Sequence, residues 1–440
     1  MSTRIAKIAI ATDLHLMAPE LLEQEGPAFD KALLSDRKLL VESPVIISAL
    51  FDEVIAARPD LFLITGDLSK DGERPSHELM RDMLRRVSGA GIRVLVIPGN
   101  HDINNPLAAY YRGEERRPAP MVSPEEFAEI YKDYGYSLES ADILERGPRL
   151  SYLAEPIEGL WIIAIDSNIY EHNIRDHYPQ TIGSLSKEDH DWIREVGRRA
   201  KAEGKLLLGM IHHGVLEHFQ LQGVIAGEYL LKNWLRDSEK LADAGLRVIF
   251  SGHFHAQDVM MRRFRSGYLY DVETGSPVTY PCPYRIVKVY DDRLEVRTNY
   301  IRLPGESLPR GGGLDLQDYA YEHLKAGLPG MVAFVMEYFR RHHPDKVTPE
   351  QAQLIVNAYP AFEDLVLAIY TGHIIGDEKG LEYNPDPEDA LIHPKPGDKL
   401  AQLRQFMQGI YPQYDRIFAV IENCLYDTSV PDNDLTIPLL

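Results

Sequence analysis

Val96-Ile97-Pro98-Gly99-Asn100-His101-Asp102 is the stretch that decides the fold, because an apolar run meets three chemically active side chains there. The run from Ile92 to Ile97 predicts a buried strand that ends at the Pro-Gly pair. Loops at the carboxyl ends of buried strands hold functional residues in α/β proteins, because the rigid strands fix the loop side chains in place. Taken alone, the stretch is also consistent with a polar turn in which Asn and Asp supply the turn geometry.

The same pattern recurs at four other predicted strands. The strands at 8–12, 61–65, 206–211 and 247–251 run into Asp13-Leu14-His15, Gly66-Asp67, His212-His213-Gly214 and Gly252-His253-Phe254-His255. Carboxylate, amide and imidazole groups are ligands suited to hard or borderline divalent metals. One such strand end is ordinary, whereas five in one chain indicate a metal site.

This ordered set of motifs, D-x-H, G-D, G-N-H-D, H-H and G-H-x-H, closely resembles that of the calcineurin-like metallophosphoesterases over about residues 5 to 300. Within that superfamily the pattern is most similar to the cyclic-nucleotide phosphodiesterase branch. The resemblance implies an α/β fold, a four-layer α-β-β-α sandwich of two mixed β-sheets with the helices outside. It also implies that the motifs lie at the ends of the central strands.

The resemblance further implies a role for each motif residue. One metal ion is expected to bind Asp13, His15, Asp67 and His255, and the other to bind Asp67, Asn100, His212 and His253. Asp67 would bridge the two ions. His101 is expected to face the phosphate without binding metal, and Asp102 is expected to orient His101. His212 is chosen over His213 because the first residue of the family's H-x-P motif is the ligand, although Gly214 replaces the usual Pro here.

The chemistry gives a reason for these residue types. Two divalent ions about 3.5–4 Å apart can stabilise both the attacking and the leaving oxygen of a displacement at phosphorus. A metal-bridging hydroxide is the expected nucleophile, because metal binding lowers the pKa of water toward about 7. His101 would stabilise the transition-state charge or protonate the leaving oxygen. The ligands tolerate Mn, Fe and Zn alike, so they do not select one metal.

Length and composition predict two domains. The 440 residues exceed a typical single domain, and a Gly- and Pro-containing stretch at 305–313 predicts a linker between a catalytic domain, 1–304, and a C-terminal all-helical domain, 314–440. Helical periodicity covers 314–326, 331–342, 348–370 and 399–426, and Thr348-Pro349-Glu350-Gln351 is a typical helix start. The sequence does not assign a role to this domain. Packing against the catalytic domain is the favoured expectation, and covering the active site, forming a homo-oligomer interface and binding a partner are the alternatives.

The charge and the apolar pattern limit the partners. The net charge of −20 argues against general nucleic-acid binding, because phosphate backbones would be repelled. Cys282 and Cys424 show no metal-ligand spacing and form no disulfide framework. No secretory segment and no apolar run near 18 residues stands out, so no membrane association is expected and the predicted location is cytoplasmic.

Three functions remain open after the sequence has been read. The favoured one is a phosphodiesterase acting on a small-molecule phosphate ester, with cyclic nucleotides or related small diesters as substrates. The alternative is a phosphomonoesterase or protein phosphatase. A remote third is a non-catalytic metal-binding scaffold, which the loss of a ligand would favour, and every expected ligand is present. Two other polar residues near the motifs are not expected to act in the site. Asp166 is expected to be structural, and His77 is expected to lie at a helix start on the surface.

Overall fold

The computed structural model describes residues 3–33, 36–342, 348–381, 395–410 and 430–439, and single positions at 415, 418, 421, 422 and 425. The strands are β1 Arg4–Ala11, β2 Leu22–Gln24, β3 Leu61–Ile64, β4 Arg93–Val96, β5 Ala109–Arg112, β6 Glu115–Pro118, β7 Ile143–Arg146, β8 Tyr152–Ile157, β9 Leu160–Ile165, β10 Leu206–Ile211, β11 Val248–Ser251, β12 Asp258–Phe264, β13 Gly267–Glu273, β14 Pro283–Tyr290, β15 Arg293–Tyr300 and β16 Asp434–Pro438. The helices are α1 Pro27–Leu33, α2 Ser43–Ala57, α3 Arg74–Gly89, α4 Pro124–Ile130, α5 Asn173–Asp176, α6 Lys187–Glu203, α7 Gln222–Ile225, α8 Trp234–Asp243, α9 Leu316–His342, α10 Pro349–Ile375 and α11 Pro396–Ile410.

Two mixed sheets form the centre of the molecule. The first has the strand order β16-β15-β14-β1-β3-β4, and the second has the order β12-β13-β11-β10-β9-β8-β7. In the first sheet β1, β3 and β4 are parallel, while β14 runs antiparallel to β1. In the second, β9, β10, β11 and β13 are parallel and the outer strands are antiparallel. The predicted pair of mixed sheets is therefore confirmed.

Strand β9 shows how the layers are stacked. Its residues are all buried, and they alternate between two cores because successive side chains of a strand point to opposite faces. Leu160, Ile162 and Ala164 belong to the core shared with the first sheet. Trp161, Ile163 and Ile165 pack instead with apolar residues of α6 and α8. Helices α2 and α3 contribute buried side chains to the core around the first sheet. The four-layer sandwich is confirmed.

The sheet topology gathers the five motif strands. Strands β1, β3 and β4 are parallel neighbours, as are β10 and β11, so within each sheet their carboxyl ends lie at the same edge. The loops that leave β1 and β3 are also joined by backbone hydrogen bonds, from Asp13 N to Gly66 O and from His15 N to Asp67 O, both 2.9 Å long. This cross-pairing holds the first two motifs in register with each other.

The C-terminal region is helical over most of its described length, as predicted, but two details differ. The helices expected at 314–326 and 331–342 are one helix, α9, with Pro329 inside it. Helix α10 begins at the predicted Thr348 cap, where the Thr348 hydroxyl accepts from Gln351 N. The helix expected at 399–426 is seen as α11, which ends at Ile410, and most residues from 411 to 426, including Cys424, lie outside the described residues.

The end of the chain corrects the expectation of an all-helical segment up to residue 440. Residues Asp434–Pro438 form β16, which pairs antiparallel with β15 at the edge of the first sheet. Alternation in β16 buries Leu435 and Ile437 and exposes the residues between them. The predicted linker also packs against the catalytic part, since Leu308 is buried and Arg310 Nη2 lies 2.6 Å from Glu25 Oε1. The domain boundary itself stays a prediction.

One helix among the described residues, α10, is long and apolar enough to cross a membrane by length and composition alone. About a quarter of its most apolar stretch, 28%, is buried in the structure. The sequence reading had found no such stretch, because charged and polar residues interrupt the apolar run at Glu363 and Asp364. The absence of membrane association and the cytoplasmic location stay predictions.

Candidate metal centre

All seven residues expected to bind metal lie together at the strand ends. They are Asp13, His15, Asp67, Asn100, His212, His253 and His255, and each is buried. Ligand atoms of two groups of these residues each lie within 4.8 Å of one another: Asp13, Asp67, His212 and His253, and Asp13, His15 and His255. The structure therefore brings together the residues that the sequence predicted to act together.

Asp67 lies between His15 and His212. Its Oδ2 atom is 3.6 Å from His15 Nε2 on one side and 3.5 Å from His212 Nε2 on the other. On the His212 side, His212 Nε2 lies 3.1 Å from both Asn100 Oδ1 and His253 Nδ1. This carboxylate oxygen therefore lies near imidazoles on both of its sides.

The other group is built around Asp13. His255 Nε2 lies 3.1 Å from Asp13 Oδ1 and 3.2 Å from His15 Nε2. The second Asp13 oxygen accepts from the Thr12 hydroxyl at 2.6 Å and from His253 N at 2.8 Å. Asp13 is thus hydrogen-bonded from its own loop and from the loop after β11, which brings the two sheets together at this point.

The backbone is strained at the ligands. Asp13, His15, Asp67, His253 and His255 all have φ between 41° and 76°, in the left-handed region that side chains other than glycine seldom adopt. Strained conformations of this kind cluster at functional sites, where the surrounding structure holds them. Position 99 requires glycine because the two loops pass very close to each other there. A Cβ at Gly99 would lie 2.1 Å from Asp67 Oδ1.

The donor set fits divalent cations. Buried carboxylates require a positive partner, and among the described residues no Lys or Arg lies within 4.0 Å of Asp13 or Asp67. Burial acts to raise the pKa of both aspartates, but the neighbouring histidines hold each well below its ordinary value. Burial disfavours the charged form of His212, yet Asp67 raises its pKa to about 9. Two buried carboxylates surrounded by imidazole and amide groups are a donor set suited to divalent cations.

His101 stands beside this cluster, as predicted, and it is partly exposed. Its ring lies 4.9 Å from that of His15, and its backbone N–H donates to Asp67 Oδ1 at 2.8 Å. Its Nδ1 atom lies 3.0 Å from Asp71 Oδ1. Burial and the charge of Lys38 act to lower the pKa of His101, but Asp67 and Asp71 raise it above its ordinary value. A protonated imidazole can donate a proton to a leaving oxygen.

The role predicted for Asp102 is corrected by the structure. Its carboxylate does not contact the His101 ring but accepts from the backbone N–H groups of Gly99, Ser69 and Leu68, at 2.8, 2.9 and 3.1 Å. The Ser69 hydroxyl also donates to it at 2.8 Å. Asp102 turns back under its own loop because these donors converge there. It ties the loop after β4 to the loop after β3, and Asp71 takes the position beside His101.

Asp71 is a residue of this site that the sequence motifs did not single out. It is four residues beyond Asp67, in the polar turn Ser69-Lys70-Asp71-Gly72. Burial acts to raise the pKa of Asp71, but the charge of Lys70 and the bond with His101 lower it far below its ordinary value. The carboxylate is therefore ionised and able to hold the His101 imidazolium. The sequence feature that could have identified Asp71 is the presence of a second aspartate shortly after the G-D motif.

Three other histidines make their hydrogen bonds outside the ligand cluster, although the ring of His213 lies 4.7 Å from that of His253. His213 Nδ1 lies 2.7 Å from the Ser167 hydroxyl and its Nε2 lies 2.8 Å from Thr181 O, so the choice of His212 agrees with the geometry. His77 is fully buried, not at the surface, and contacts the Ser69 hydroxyl and Asp102 O. His218 pairs with Asp258 at 2.9 Å.

Comparisons with known proteins match these motifs. A family model described as calcineurin-like phosphoesterase matches residues 6–257. A probable cyclic nucleotide phosphodiesterase from Synechococcus sp. is 27% identical over 251 residues, which cover 56% of this chain and 72% of that protein. A 3',5'-cyclic-nucleotide phosphodiesterase from Nostoc sp. is 34% identical over 95 residues, 22% of this chain and 30% of that protein. A crystal structure of a dimetal phosphatase from Danio rerio aligns with 68% of this chain and 97% of that chain, at 14% identity and a TM-score of 0.47.

Proposed function

Because the chain belongs to the calcineurin-like phosphoesterase family, whose model matches more than half of it, we propose that it is a phosphodiesterase acting on cyclic nucleotides or other small diesters. The position of Asp67 Oδ2, 3.6 Å from His15 Nε2 and 3.5 Å from His212 Nε2, carries the catalytic part of the proposal. The diester substrate is supported by the names of the Synechococcus and Nostoc relatives. We propose two divalent ions, of Mn, Fe or Zn, as cofactors.

In this proposal each residue of the site has a distinct role in binding the metal ions. Two ions bound there would polarise the phosphoryl oxygens and lower the pKa of a water molecule. Asp13, His15 and His255 would hold one ion, Asn100, His212 and His253 the other, and Asp67 both. Hydrogen bonds from Thr12 and His253 N fix the Asp13 carboxylate, so its orientation does not depend on the substrate.

His101 supplies the proton in this proposal. Its Nδ1–H donates to Asp71 Oδ1, which stabilises the imidazolium and leaves Nε2 for proton transfer to the leaving oxygen. The backbone N–H of His101 donates to Asp67 Oδ1, so the same residue is tied to the bridging ligand. This double attachment fixes the distance between the proton donor and the metal centre.

The test compares an aryl phosphodiester with the matching aryl monoester, using the manganese-loaded protein and the His101→Ala variant. We expect a higher kcat/KM on the diester, and a loss of about 10²- to 10⁴-fold in kcat for the variant. A preference for the monoester would favour the phosphomonoesterase or protein phosphatase alternative. Inactivity toward both esters, with metal bound, would favour the scaffold alternative.

Metal content tests the two-ion proposal separately. Elemental analysis of the purified, metal-loaded protein is expected to give two equivalents per chain. Asp67→Asn is expected to retain less than one, because an amide offers a single oxygen and no charge. Full occupancy in Asp67→Asn would contradict the bridging position.

A further inference from the structure

Two adjacent cations, Arg37 and Lys38, lie beside the metal centre on the segment that leads into α2. Arg37 lines a narrow cleft together with the expected metal ligand His255. Tyr280 and, from α10, Tyr370 and Ile374 form other parts of the wall. The C-terminal helices therefore reach the edge of the candidate active site.

The Arg37 guanidinium is held in place without an ion pair. Its Nη2 donates to Phe254 O at 2.7 Å, and its Cζ lies 5.6 Å from the centre of the Tyr370 ring, which is a cation–π distance. Phe254 is the residue between the two expected ligands His253 and His255. Within the part of the chain that the structure describes, no carboxylate lies within 4.0 Å of Arg37. A guanidinium carries five N–H donors in a fork that matches phosphate oxygens, and most of these are not used by the protein.

Lys38 is the second cation of this segment. It is largely buried, and its Nζ lies 3.4 Å from Asp36 Oδ2. Its positive charge is felt at His15, His101 and Asp71, since it lowers the pKa that each would otherwise have. Arg37 thus lies on the His255 side of the centre, and Lys38, the next residue in the chain, adds a second positive charge near it.

We propose that Arg37 and Lys38 form an anion subsite that binds the non-bridging oxygens of a phosphate group next to the metal centre. The inference rests on the proposed phosphoesterase function and adds the residues that recognise the substrate's charge. Charge-assisted hydrogen bonds to phosphate are about twice as strong as neutral ones, and two cations on adjacent residues can engage two oxygens. Helix α10 completes the subsite, because the Tyr370 ring holds the guanidinium in position.

The test uses the full-length, metal-loaded protein and the variants Arg37→Gln and Lys38→Met. We expect KM for the aryl diester and the inhibition constant of inorganic phosphate to rise about 10- to 100-fold in Arg37→Gln. We expect kcat to change less than about 3-fold, because the proton donor and ligands are untouched. Lys38→Met is expected to raise the same constants. Unchanged KM and phosphate inhibition in Arg37→Gln, with metal content equal to wild type, would overturn the subsite.

Two further variants guard against an indirect effect. Arg265→Gln removes an equal charge from an exposed turn position and is expected to leave every constant unchanged. Arg37→Lys keeps the charge but loses the forked donors of the guanidinium, so we expect an intermediate rise in KM and in the phosphate inhibition constant. Wild-type constants in Arg37→Lys together with raised constants in Arg265→Gln would show a general charge effect and overturn the subsite.

Phosphate binding measured by calorimetry separates the inference from the proposed function. If the wild-type protein hydrolyses no ester but binds inorganic phosphate in a manner that depends on Arg37, the subsite is upheld and the proposed function fails. If it hydrolyses esters but phosphate affinity is the same in Arg37→Gln, the function is upheld and the subsite fails.

Discussion

Asp71 Oδ1 lies 3.0 Å from His101 Nδ1, and this pair joins the loop after β3 to the loop after β4 beside the metal centre. The bond fixes which imidazole nitrogen carries the shared hydrogen, and the carboxylate favours the charged ring. The geometry gives Asp71 the orienting role that the G-N-H-D motif had suggested for Asp102.

Asp71→Asn is expected to lower kcat by about 10- to 100-fold, because an amide holds His101 without stabilising its positive charge. Metal content is expected to stay near wild type, since Asp71 is not among the expected metal ligands, but the melting temperature is expected to fall because Asp71 also forms a largely buried ion pair with Lys70. Steady-state kinetics with elemental analysis of the same sample checks this. Wild-type kcat in Asp71→Asn would show that the contact has no part in catalysis.

Asp102→Asn is expected to act on stability instead. The carboxylate accepts from three backbone N–H groups and one hydroxyl, and an amide presents an NH₂ group to donors that have no other acceptor there. Burying unsatisfied donors costs about 1–3 kcal/mol each, so we expect a loss of about 2–4 kcal/mol in the free energy of unfolding. Denaturant unfolding measures it. A stable Asp102→Asn protein with strongly reduced kcat would instead restore the catalytic role first assigned to Asp102.

The difference between these two aspartates shows what the sequence could and could not supply. Strand ends and ligand types are local properties, so the apolar runs before Asp13, Asp67 and His212 were sufficient to predict strands that end in a metal site. The pair of sheets and the individual ligands were implied by the family resemblance of the motifs. Which carboxylate faces His101 depends on the path of two loops through space, and sequence spacing does not encode it. Adjacent position in the chain made Asp102 the natural choice, whereas backbone donors turn its side chain away.

The C-terminal segment shows the same limit at a larger scale. Helical periodicity predicted α10 and its Thr348 cap, but β16 consists of only five residues whose pairing partner, β15, is more than 130 positions away. Short strands acquire their structure from the sheet they join, because an isolated strand has no stability of its own. The contact of α10 with Arg37 is likewise a tertiary property that no local pattern encodes.

His77 predicts a pH dependence of stability. Burial lowers its pKa from 6.5 to about 4, so the folded protein keeps this imidazole neutral while the unfolded chain takes up a proton below pH 6.5. Stability is therefore lost as the pH falls from 6.5 toward 4, by about 2 kcal/mol between pH 7 and pH 5. His77→Gln, which cannot titrate, is expected to be less stable at pH 7 but to lose less on acidification. Parallel slopes for the two proteins between pH 7 and pH 5 would contradict the assignment.

Substitutions at Ile437 and Thr436 test whether the end of the chain is part of the catalytic fold. They are neighbours on β16, but Ile437 is fully buried in the core of the two sheets and Thr436 is exposed. Ile437→Asp places an unpaired charge in that core and is expected to destabilise the protein by about 4 kcal/mol or more, whereas Thr436→Asp is expected to change stability by less than about 0.5 kcal/mol. Thermal and denaturant unfolding compare the two. If the catalytic part folded independently of residues 305–440, both variants would keep the melting temperature and metal content of the wild type. We expect only Thr436→Asp to do so.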